Sequence, residues 1–367
     1  MKAIAIIPLK RNSIHFKKNV REPSLDDVPD GKGVVIEILE VGTCGTDKEI
    51  NLGLYGKSPP HCKYLILGHE CKGRVVEVGK KVTKFKAGDI VTVTVRRPGT
   101  SIYDKIRFQD ITLDERYFER GISEIHGFFC EYIVEHEEFL VKIPKSVAEV
   151  GVLMEPMSVV QKGVRVSTLV QNVRFPIYEP KRVLVLGAGP IGQLAALVFR
   201  LRGLDVFVAA RRKGKHLKAR LIEKLDATYV GTEERPLLRA LKKYGRFDII
   251  FEATGSSKVA FEAPLLLAKN SVCIWSSITG GDDEHLVPTA HINQRAVLGN
   301  QLIFGTVNAH IMDFENSARD FVLAQSIFPN WLPQLLTHRI KGLENHKEMI
   351  RVLSEEKDAI KVSILVN

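Results

Sequence analysis

A glycine-rich segment, GAGPIG at residues 187–192, lies directly between a strand-like run, RVLVLG, and a helix-like run, GQLAALVFRLRG. In this context the first glycine permits a tight turn, the second lets a pyrophosphate approach the backbone, and the third allows close helix-to-strand packing. The free N–H groups and dipole of the helix favour the phosphate. The motif predicts a dinucleotide-binding loop made of Gly187, Gly189, Pro190, Ile191 and Gly192. The alternative is a purely structural turn.

The sequence around this loop alternates between strand-like and helix-like runs. From Lys181 the runs RVLVLG, DVFVAAR, ATYVG and FDIIFEATG alternate with helical segments, and SVCIWSSI continues the pattern. Alternation of this kind predicts a parallel sheet with crossover helices, which is a doubly wound α/β fold.

The second strand of this region ends in the basic residues Arg211, Arg212 and Lys213. An acid at this position would hold the 2′-hydroxyl of NAD, whereas two guanidinium groups can pair with the 2′-phosphate of NADP. The sequence therefore favours NADP as the cofactor, with use of NAD also open and a solvated basic turn as the alternative. Thr254, in the EATG that ends a later strand, is a further predicted cofactor contact.

The first 143 residues have a different character, with short β-rich runs bounded by Gly, Pro and Asp. This pattern predicts a barrel-like β module. Helical spacing follows Pro144, and the strand-like IKVSILV at the end of the chain could return to the first module. We predict a β-rich domain of residues 1–178 and 305–367 and a nucleotide-binding domain of residues 179–304.

Metal-competent side chains occur in three separated segments of the β-rich region and its helical extension. One thiolate, one imidazole and one or two carboxylates suit a zinc ion that keeps a position open for substrate. Each has a structural alternative, namely a buried cysteine, a hydrogen-bonded core histidine and a carboxylate at a helix start. The candidate ligands are Cys44, His69, Glu70 and Glu155.

In combination, VGTCGTD, LGHE, AGD before a strand and GAGPIG resemble the zinc-dependent medium-chain dehydrogenase/reductase family over essentially the whole chain. The resemblance implies a GroES-like catalytic domain and a Rossmann domain with the substrate cleft between them. It also implies zinc held by Cys44 and His69, with Glu155 at the third-ligand position and Glu70 able to ligate or exchange. Thr46 matches the hydroxyl that passes the substrate proton outward, but Glu49 stands where many relatives have a relay histidine.

Within that family, the chain is most similar to the archaeal glucose dehydrogenase branch, and the segments that carry this similarity are VRRPG, ERGISEIHGFFCEYIV and LMEP. This implies oxidation of an aldose such as glucose or galactose at C1 to the lactone. Glu119, Glu155 and Asn308 are then the expected substrate contacts, Asn308 also faces the nicotinamide, and His126 is expected to be structural. The alternatives are a dehydrogenase of another polyol or secondary alcohol, and an NADPH-binding protein without this activity.

One departure from the family concerns the stretch between Arg97 and Glu119, where many relatives bind a second zinc through closely spaced cysteines. This stretch contains no cysteine. We therefore predict one catalytic zinc per chain, no structural zinc, and a lobe held by packing of residues such as Tyr103, Phe108 and Phe118.

Composition limits the remaining choices. The net charge of +10 is spread along the chain without a nucleic-acid motif, so we expect no nucleic-acid partner. The longest apolar runs are too short for a membrane span, and the N-terminus lacks the features of a signal peptide. Five cysteines without a CxxC pair fit a reduced compartment. We expect a cytoplasmic homo-oligomer, a dimer or tetramer, in which SVCIWSSI could extend a sheet across a two-fold axis.

Overall fold

The computed structural model describes residues 1–233, 236–279 and 284–366. The chain divides into two units, described separately below: the first is Met1–Ser158, Asn308–Val322 and Leu332–Asn367, and the second is Val159–Val307 and Leu323–Trp331. A long helix, Met154–Arg174, begins in the first unit and belongs to the second from Val159 onward. The domain boundaries given above stay a prediction.

Strands are spread over both units of the described chain. In chain order they are β1 (Ala3–Ile6), β2 (His15–Lys17), β3 (Gly33–Thr43), β4 (Leu65–Ile66), β5 (Glu70–Val78), β6 (Ile90–Val93), β7 (Arg96–Arg97), β8 (Phe118–Arg120), β9 (Glu124–Ile125), β10 (Tyr132–His136), β11 (Leu140–Lys142), β12 (Arg182–Leu186), β13 (Asp205–Ala210), β14 (Thr228–Gly231), β15 (Phe247–Glu252), β16 (Leu267–Trp275), β17 (Leu302–Gly305), β18 (His338–Lys341) and β19 (Val362–Leu365).

The α-helices lie mainly in the second unit. In chain order they are α1 (Gly45–Asn51), α2 (Ile102–Lys105), α3 (Met154–Arg174), α4 (Pro190–Leu201), α5 (Leu217–Glu223), α6 (Leu237–Leu241), α7 (Ser257–Glu262), α8 (Thr289–Leu298), α9 (Ile311–Ile327) and α10 (His346–Glu355). The helical spacing after Pro144 is confirmed, although its first part, Lys145–Leu153, is a 3-10 helix. No helix in the described ranges is long and apolar enough to cross a membrane.

The first unit is organised around β3, the longest strand of its main sheet. The strand order is β11-β6-β5-β3-β19-β18, with β10 also pairing with β3. Inward-facing residues of β3, such as Val34, Ile36 and Ile38, are fully buried in the apolar core of this unit. The antiparallel register of β19 places Val362 opposite Thr43, so residue 361 lies beside the end of β3. The predicted return of IKVSILV to the first module is confirmed.

The second unit contains a six-stranded sheet in the order β14-β13-β12-β15-β16-β17, with all pairs parallel. Chain order reverses between β12 and β15, which is the point where doubly wound folds bind ligands at the carboxyl ends of the strands. Helix α4 lies behind the glycine-rich loop and buries Leu194, Leu197 and Val198. The predicted doubly wound parallel sheet is confirmed.

The structure corrects the expected role of SVCIWSSI in oligomerisation. This segment forms β16, which pairs with β15 on one side and β17 on the other. Its backbone groups are used inside the sheet and are unavailable to a second chain. The outer strand at this edge is β17.

The structure adds polar contacts to the predicted packing of the lobe between Arg97 and Glu119, in which Phe108 stacks on His310. Tyr103, Phe108 and Phe118 are only partly buried. In the segment 98–118 the buried side chains are those of two acids, Asp104 and Asp110. Asp104 accepts hydrogen bonds from the Ser101 and Thr112 hydroxyls, both at 2.6 Å. Short polar side chains within the lobe therefore bind one oxygen of a buried carboxylate, Asp104 Oδ2.

Candidate metal and nucleotide sites

The thiol of Cys44 sits at the N-terminus of α1. Its Sγ accepts a hydrogen bond from the Thr46 N–H at 3.3 Å, and the Cys44 N–H donates to Asp47 Oδ2 at 3.0 Å. The end of β3 and the start of α1 therefore fix the position of the Cys44 sulfur, an atom that can ligate a metal ion.

His69 is brought to Cys44 by the start of β5. Its Nε2 lies 3.2 Å from Cys44 Sγ, and its Nδ1 lies 3.9 Å from Asp47 Oδ1. This second distance is too long for a hydrogen bond, and neither His69 Nδ1 nor Asp47 Oδ1 has a hydrogen-bond partner among the described residues. Asp47 was quoted in the sequence segment but had no assigned role, and the structure places it as a buried carboxyl group beside His69.

Two further carboxylates complete the cluster. Candidate ligand atoms of His69, Glu70 and Glu155 all lie within 4.8 Å of one another, as do those of Cys44, Asp47 and His69. Glu155 comes from the first turn of α3 and is 9% exposed. Its burial raises its pKa to about 7, with a further contribution from the charge of Glu70 and with His69 and Lys361 acting in the opposite direction.

Lys361 is a cation of this cluster that sequence reasoning missed. It is fully buried and pairs with Glu70 Oε2, in a position set by the pairing of β19 with β3. Although burial by itself lowers the pKa of an ammonium group, the charges of Glu70 and Cys44 raise that of Lys361. The only sequence signal was the predicted return of the last strand.

The charges of these residues fit a divalent cation. Three acidic side chains, those of Asp47, Glu70 and Glu155, lie in this cluster with one ammonium group, that of Lys361. Buried negative charge of this density is stable only when it is protonated or bound to a cation. The mixed sulfur, nitrogen and oxygen donors suit zinc.

Glu119 and Asn308 are joined by a direct hydrogen bond. Asn308 Nδ2 donates to Glu119 Oε1 at 2.7 Å, and Arg96 donates to the same oxygen from Nε at 3.0 Å and Nη2 at 2.7 Å. Glu119 is buried and does not lie on the protein surface. Within the described chain, Oε2 receives no hydrogen bond, which leaves an acceptor on a fixed carboxylate.

Other residues of interest lie close to these groups. Burial raises the pKa of Tyr55, whose hydroxyl is near Thr46 and Glu49. Tyr55 also lines a cleft of about 420 Å³ together with Lys57, Arg116, Tyr117 and Glu124.

His126 accepts a hydrogen bond from the Ile66 N–H at 3.1 Å and stacks on Tyr64, which is the structural role expected of it.

The glycine-rich loop of the second unit lies at the carboxyl end of β12. Gly187 has φ +103°, and a Cβ at this position would lie 2.6 Å from the Ala253 carbonyl oxygen. A Cβ at Gly192 would lie 2.0 Å from the Gly187 oxygen, whereas one at Gly189 would meet nothing within 4 Å. Gly187 and Gly192 must therefore be glycine, because a side chain at either position would collide with the backbone. Gly189 faces open space, where a ligand can approach. Pro190 and Ile191 form the first turn of α4.

The other nucleotide candidates of this unit share that sheet edge. Arg211 and Arg212 follow β13 and are exposed, and Gly187 donates to the Ala209 carbonyl at 2.9 Å. Thr254 follows β15 and donates through its N–H to Glu252 Oε1 at 2.6 Å. Asn308, which was also a predicted cofactor contact, belongs to the first unit.

A second set of side chains positions the basic turn. The Tyr229 hydroxyl donates to the Arg212 carbonyl at 2.6 Å, and His216 Nε2 lies 3.2 Å from that hydroxyl. His216 Nδ1 accepts from the Ala219 N–H at 3.4 Å, so its proton is on Nε2 and is donated to Tyr229. Sequence reasoning missed both residues, because Tyr229 lies in the next strand along.

Comparisons with known proteins agree with this architecture. Residues 30–145 match the alcohol dehydrogenase GroES-like domain, and residues 148–366 match the glucose dehydrogenase C-terminus. The chain is 38% identical to glucose 1-dehydrogenase of Methanocella arvoryzae over 364 residues, covering 97% of this chain and 99% of that protein. It is 39% identical to glucose 1-dehydrogenase 1 of Vulcanisaeta moutnovskia, covering 96% and 100%.

A solved structure extends the comparison. Haloferax mediterranei glucose dehydrogenase in complex with NADP, Zn and gluconolactone superposes with a TM-score of 0.88 at 31% identity, covering 100% of this chain and 99% of that chain.

Proposed function

The chain belongs to the archaeal glucose dehydrogenase branch of the zinc-dependent medium-chain dehydrogenases, and on that premise we propose that it oxidises an aldose at C1 to the lactone, with NADP preferred over NAD. The observation that carries the proposal is the cluster of half-buried Cys44 with buried His69 and Glu155, in the same unit as Glu119, whose Oε2 is an unused acceptor. The relatives named above act on glucose according to their names, and the Haloferax enzyme was solved with a lactone.

Cys44, His69 and Glu155 would hold the zinc, and Glu70 would ligate or turn back to Lys361. When bound, the zinc acts as a Lewis acid and template that lowers the pKa of the substrate hydroxyl. Thr46 would accept the hydroxyl proton. Tyr55 and Glu49, which lie beside Thr46 in a chain without the relay histidine, give that proton a route outward. The carbon loses its hydride to the nicotinamide, so lactone, NADPH and one proton are formed.

Glu119 and Asn308 would select the sugar. Arg96 and Asn308 saturate one oxygen of Glu119 and fix its plane, so Oε2 can accept a hydrogen bond from a sugar hydroxyl. A buried acceptor of this kind discriminates against alcohols that have no second hydroxyl, because the acceptor would then be left unpaired. Glu155 remains a proposed substrate contact as well as a zinc ligand.

The proposed cofactor site of the second unit consists of the glycine-rich loop, Arg211, Arg212 and Thr254. Asn308, which belongs to the first unit, stays a separate predicted cofactor contact. The open space at Gly189 and the two exposed guanidinium groups support the site of the second unit. Anions are stabilised at a helix start such as that of α4, and guanidinium groups bind a 2′-phosphate bidentately.

We also propose a single zinc per chain and a cytoplasmic homo-oligomer. The lobe of residues 98–118 has buried acids and no cysteine, which supports the single zinc. All five cysteines are free, as in a reduced compartment. The outer strand β17 and the exposed Val297, Leu298 and Val307 near it support contact with a second copy.

The test combines elemental analysis with activity. Purified protein should contain about one zinc per chain and should reduce NADP with glucose, galactose or xylose more efficiently than with simple alcohols. Zinc-loaded protein that binds NADPH and turns over none of these substrates would overturn the proposed activity while leaving the family assignment in place.

A further inference from the structure

A cavity in the second unit lies at the opposite sheet edge from the glycine-rich loop. It has a volume of about 340 Å³ and lies between the residues that precede β15 and β16 and the start of α8. Its lining residues are Leu238, Lys242, Gly245, Arg246, Leu265, Leu266, Pro288, His291 and Arg295.

The strand directions separate this cavity from the proposed cofactor site. Arg246 immediately precedes β15, and Thr254 follows the same strand. Because β12, β15 and β16 are parallel, the residues before these strands share one edge and the glycine-rich loop lies at the other. A strand of this length spans about 20 Å, so a bound dinucleotide at the carboxyl edge does not fill the cavity.

The polar lining of the cavity is entirely basic. Its polar side chains are those of Lys242, Arg246, Arg295 and His291. Among the described residues, no carboxylate lines the cavity and none forms a salt bridge with Lys242, Arg246 or Arg295. His291 and Arg295 are four residues apart in α8 and therefore lie on the same helix face.

Both guanidinium groups are anchored to the backbone. Arg246 Nη1 donates to the Leu265 carbonyl, and Arg295 Nη2 donates to the Leu267 carbonyl at 2.6 Å. The buried Nε of Arg295 has no hydrogen-bond partner. Burial and the charge of Arg246 both lower the pKa of Arg295. Two neighbouring guanidinium groups are thus fixed close together, and some of their N–H donors have no acceptor. This arrangement of like charges is unfavourable until an anion binds between them.

We propose that this cavity binds a phosphate monoester, with the phosphate between Arg246, Arg295 and Lys242 and the organic part against Leu238, Leu265 and Leu266. Guanidinium groups present paired donors that match phosphate oxygens, and a lysine adds charge. The leucine side chains give an apolar organic group a surface to cover. The site is separate from the reaction, so a bound phosphate compound would act on the enzyme from outside the active site.

The test measures binding of inorganic phosphate and phenyl phosphate by calorimetry, using full-length protein saturated with NADP. Both should bind with a Kd of about 1 mM or tighter, and phenyl phosphate should bind more tightly than inorganic phosphate. Equal affinities would indicate a site for free phosphate, and would overturn the assignment to a monoester.

Two adjacent lysines provide a matched pair of variants. Lys242 lines the cavity, whereas Lys243 lies over the Tyr244 ring, and both are exposed. Lys242→Gln should weaken phosphate binding about three- to fivefold, and Lys243→Gln should leave it nearly unchanged. Arg246→Gln is a second test of the same site. Equal loss in the two lysine variants, or abolition of binding by NADP, would overturn the proposal.

Discussion

Asn308 donates a hydrogen bond to Glu119 at 2.7 Å, joining residues 189 positions apart in the sequence. Arg96 donates twice to the same carboxylate oxygen, so three hydrogen bonds fix the plane of Glu119 and all end on Oε1. The carboxylate is therefore oriented by the protein before any ligand is present. A preorganised acceptor loses little entropy when it binds a hydroxyl.

Replacing Glu119 should affect sugars more than simple alcohols. In Glu119→Gln we expect kcat/KM for glucose to fall about 10- to 100-fold, because the charged acceptor of a sugar hydroxyl is lost. The value for a monohydric alcohol should change much less. Steady-state kinetics with both substrates measure the ratio, and Glu77→Gln, at an exposed position of β5, is the control for loss of one negative charge. A similar fall for both substrates would argue against sugar recognition by Glu119.

Lys361 should stabilise the zinc-free protein more than the zinc-bound protein. In Lys361→Met the buried Glu70 loses its cation, which costs about 3 kcal/mol of folding free energy without metal. Bound zinc supplies positive charge to the same cluster and should recover part of this loss. Thermal unfolding with and without zinc measures the difference.

Lys72→Met is the matched control for this experiment, because Lys72 is a buried lysine that pairs with Glu40 at 2.7 Å. Its Tm decrease should be the same with and without zinc. If Lys361→Met also lowers both Tm values equally, Lys361 has no connection with the metal cluster.

The acid stability of the first unit should depend on Glu135. Burial alone would raise its pKa, but Arg120 and Arg97 lower it to about 2. The unfolded chain therefore binds more protons than the folded chain between the unfolded pKa of about 4.5 and the folded value. This contribution to stability is complete above about pH 4.5 and is lost as the pH falls toward 2.

Glu135→Gln should remove that pH dependence and also lower stability at neutral pH, because Arg97 and Arg120 lose their shared partner. Unfolding by urea at several pH values measures both effects. An unchanged slope between pH 2 and 4.5 in the variant would show that other acids are responsible.

Cofactor preference should depend on the basic turn after β13. In a variant with Arg211→Gln and Arg212→Gln, we expect the Kd for NADP to rise about 10- to 100-fold and that for NAD to change little, because only NADP has the 2′-phosphate. Fluorescence titration with each reduced cofactor measures the affinities. Lys181→Gln, before β12 at the opposite sheet edge, is the control. Equal weakening of both cofactors would contradict the assignment.

Tyr229→Phe should give a smaller change of the same kind. Loss of its hydrogen bond to the Arg212 carbonyl frees the turn without removing charge, so NADP affinity should fall several-fold and NAD affinity should not. The same titration measures the change, with Tyr244→Phe at the other end of the sheet as a control. An unaltered NADP affinity would show that the turn holds its position without Tyr229.

The sequence by itself determined the parts of this protein that depend on neighbouring residues. The parallel sheet follows from alternating strand and helix runs, and the glycine-rich loop follows from a glycine pattern whose backbone requirements are local. Cys44, His69 and Glu155 could be named as candidate ligands because each belongs to a short recognisable segment. The NADP-like basic turn, too, is contained in adjacent residues of one strand end.

Only the tertiary structure decided which distant groups meet. Lys361 reaches Glu70 because β19 pairs with β3, and Asn308 reaches Glu119 although the two are 189 positions apart in the sequence. Within the lobe of residues 98–118, Asp104 accepts hydrogen bonds from Ser101 and Thr112, which the aromatic residues of the lobe did not indicate. The position of β16 inside the sheet also depends on β17 as its neighbour. Such pairings are set by strand register and by the satisfaction of buried charge, and neither leaves a local pattern in the sequence.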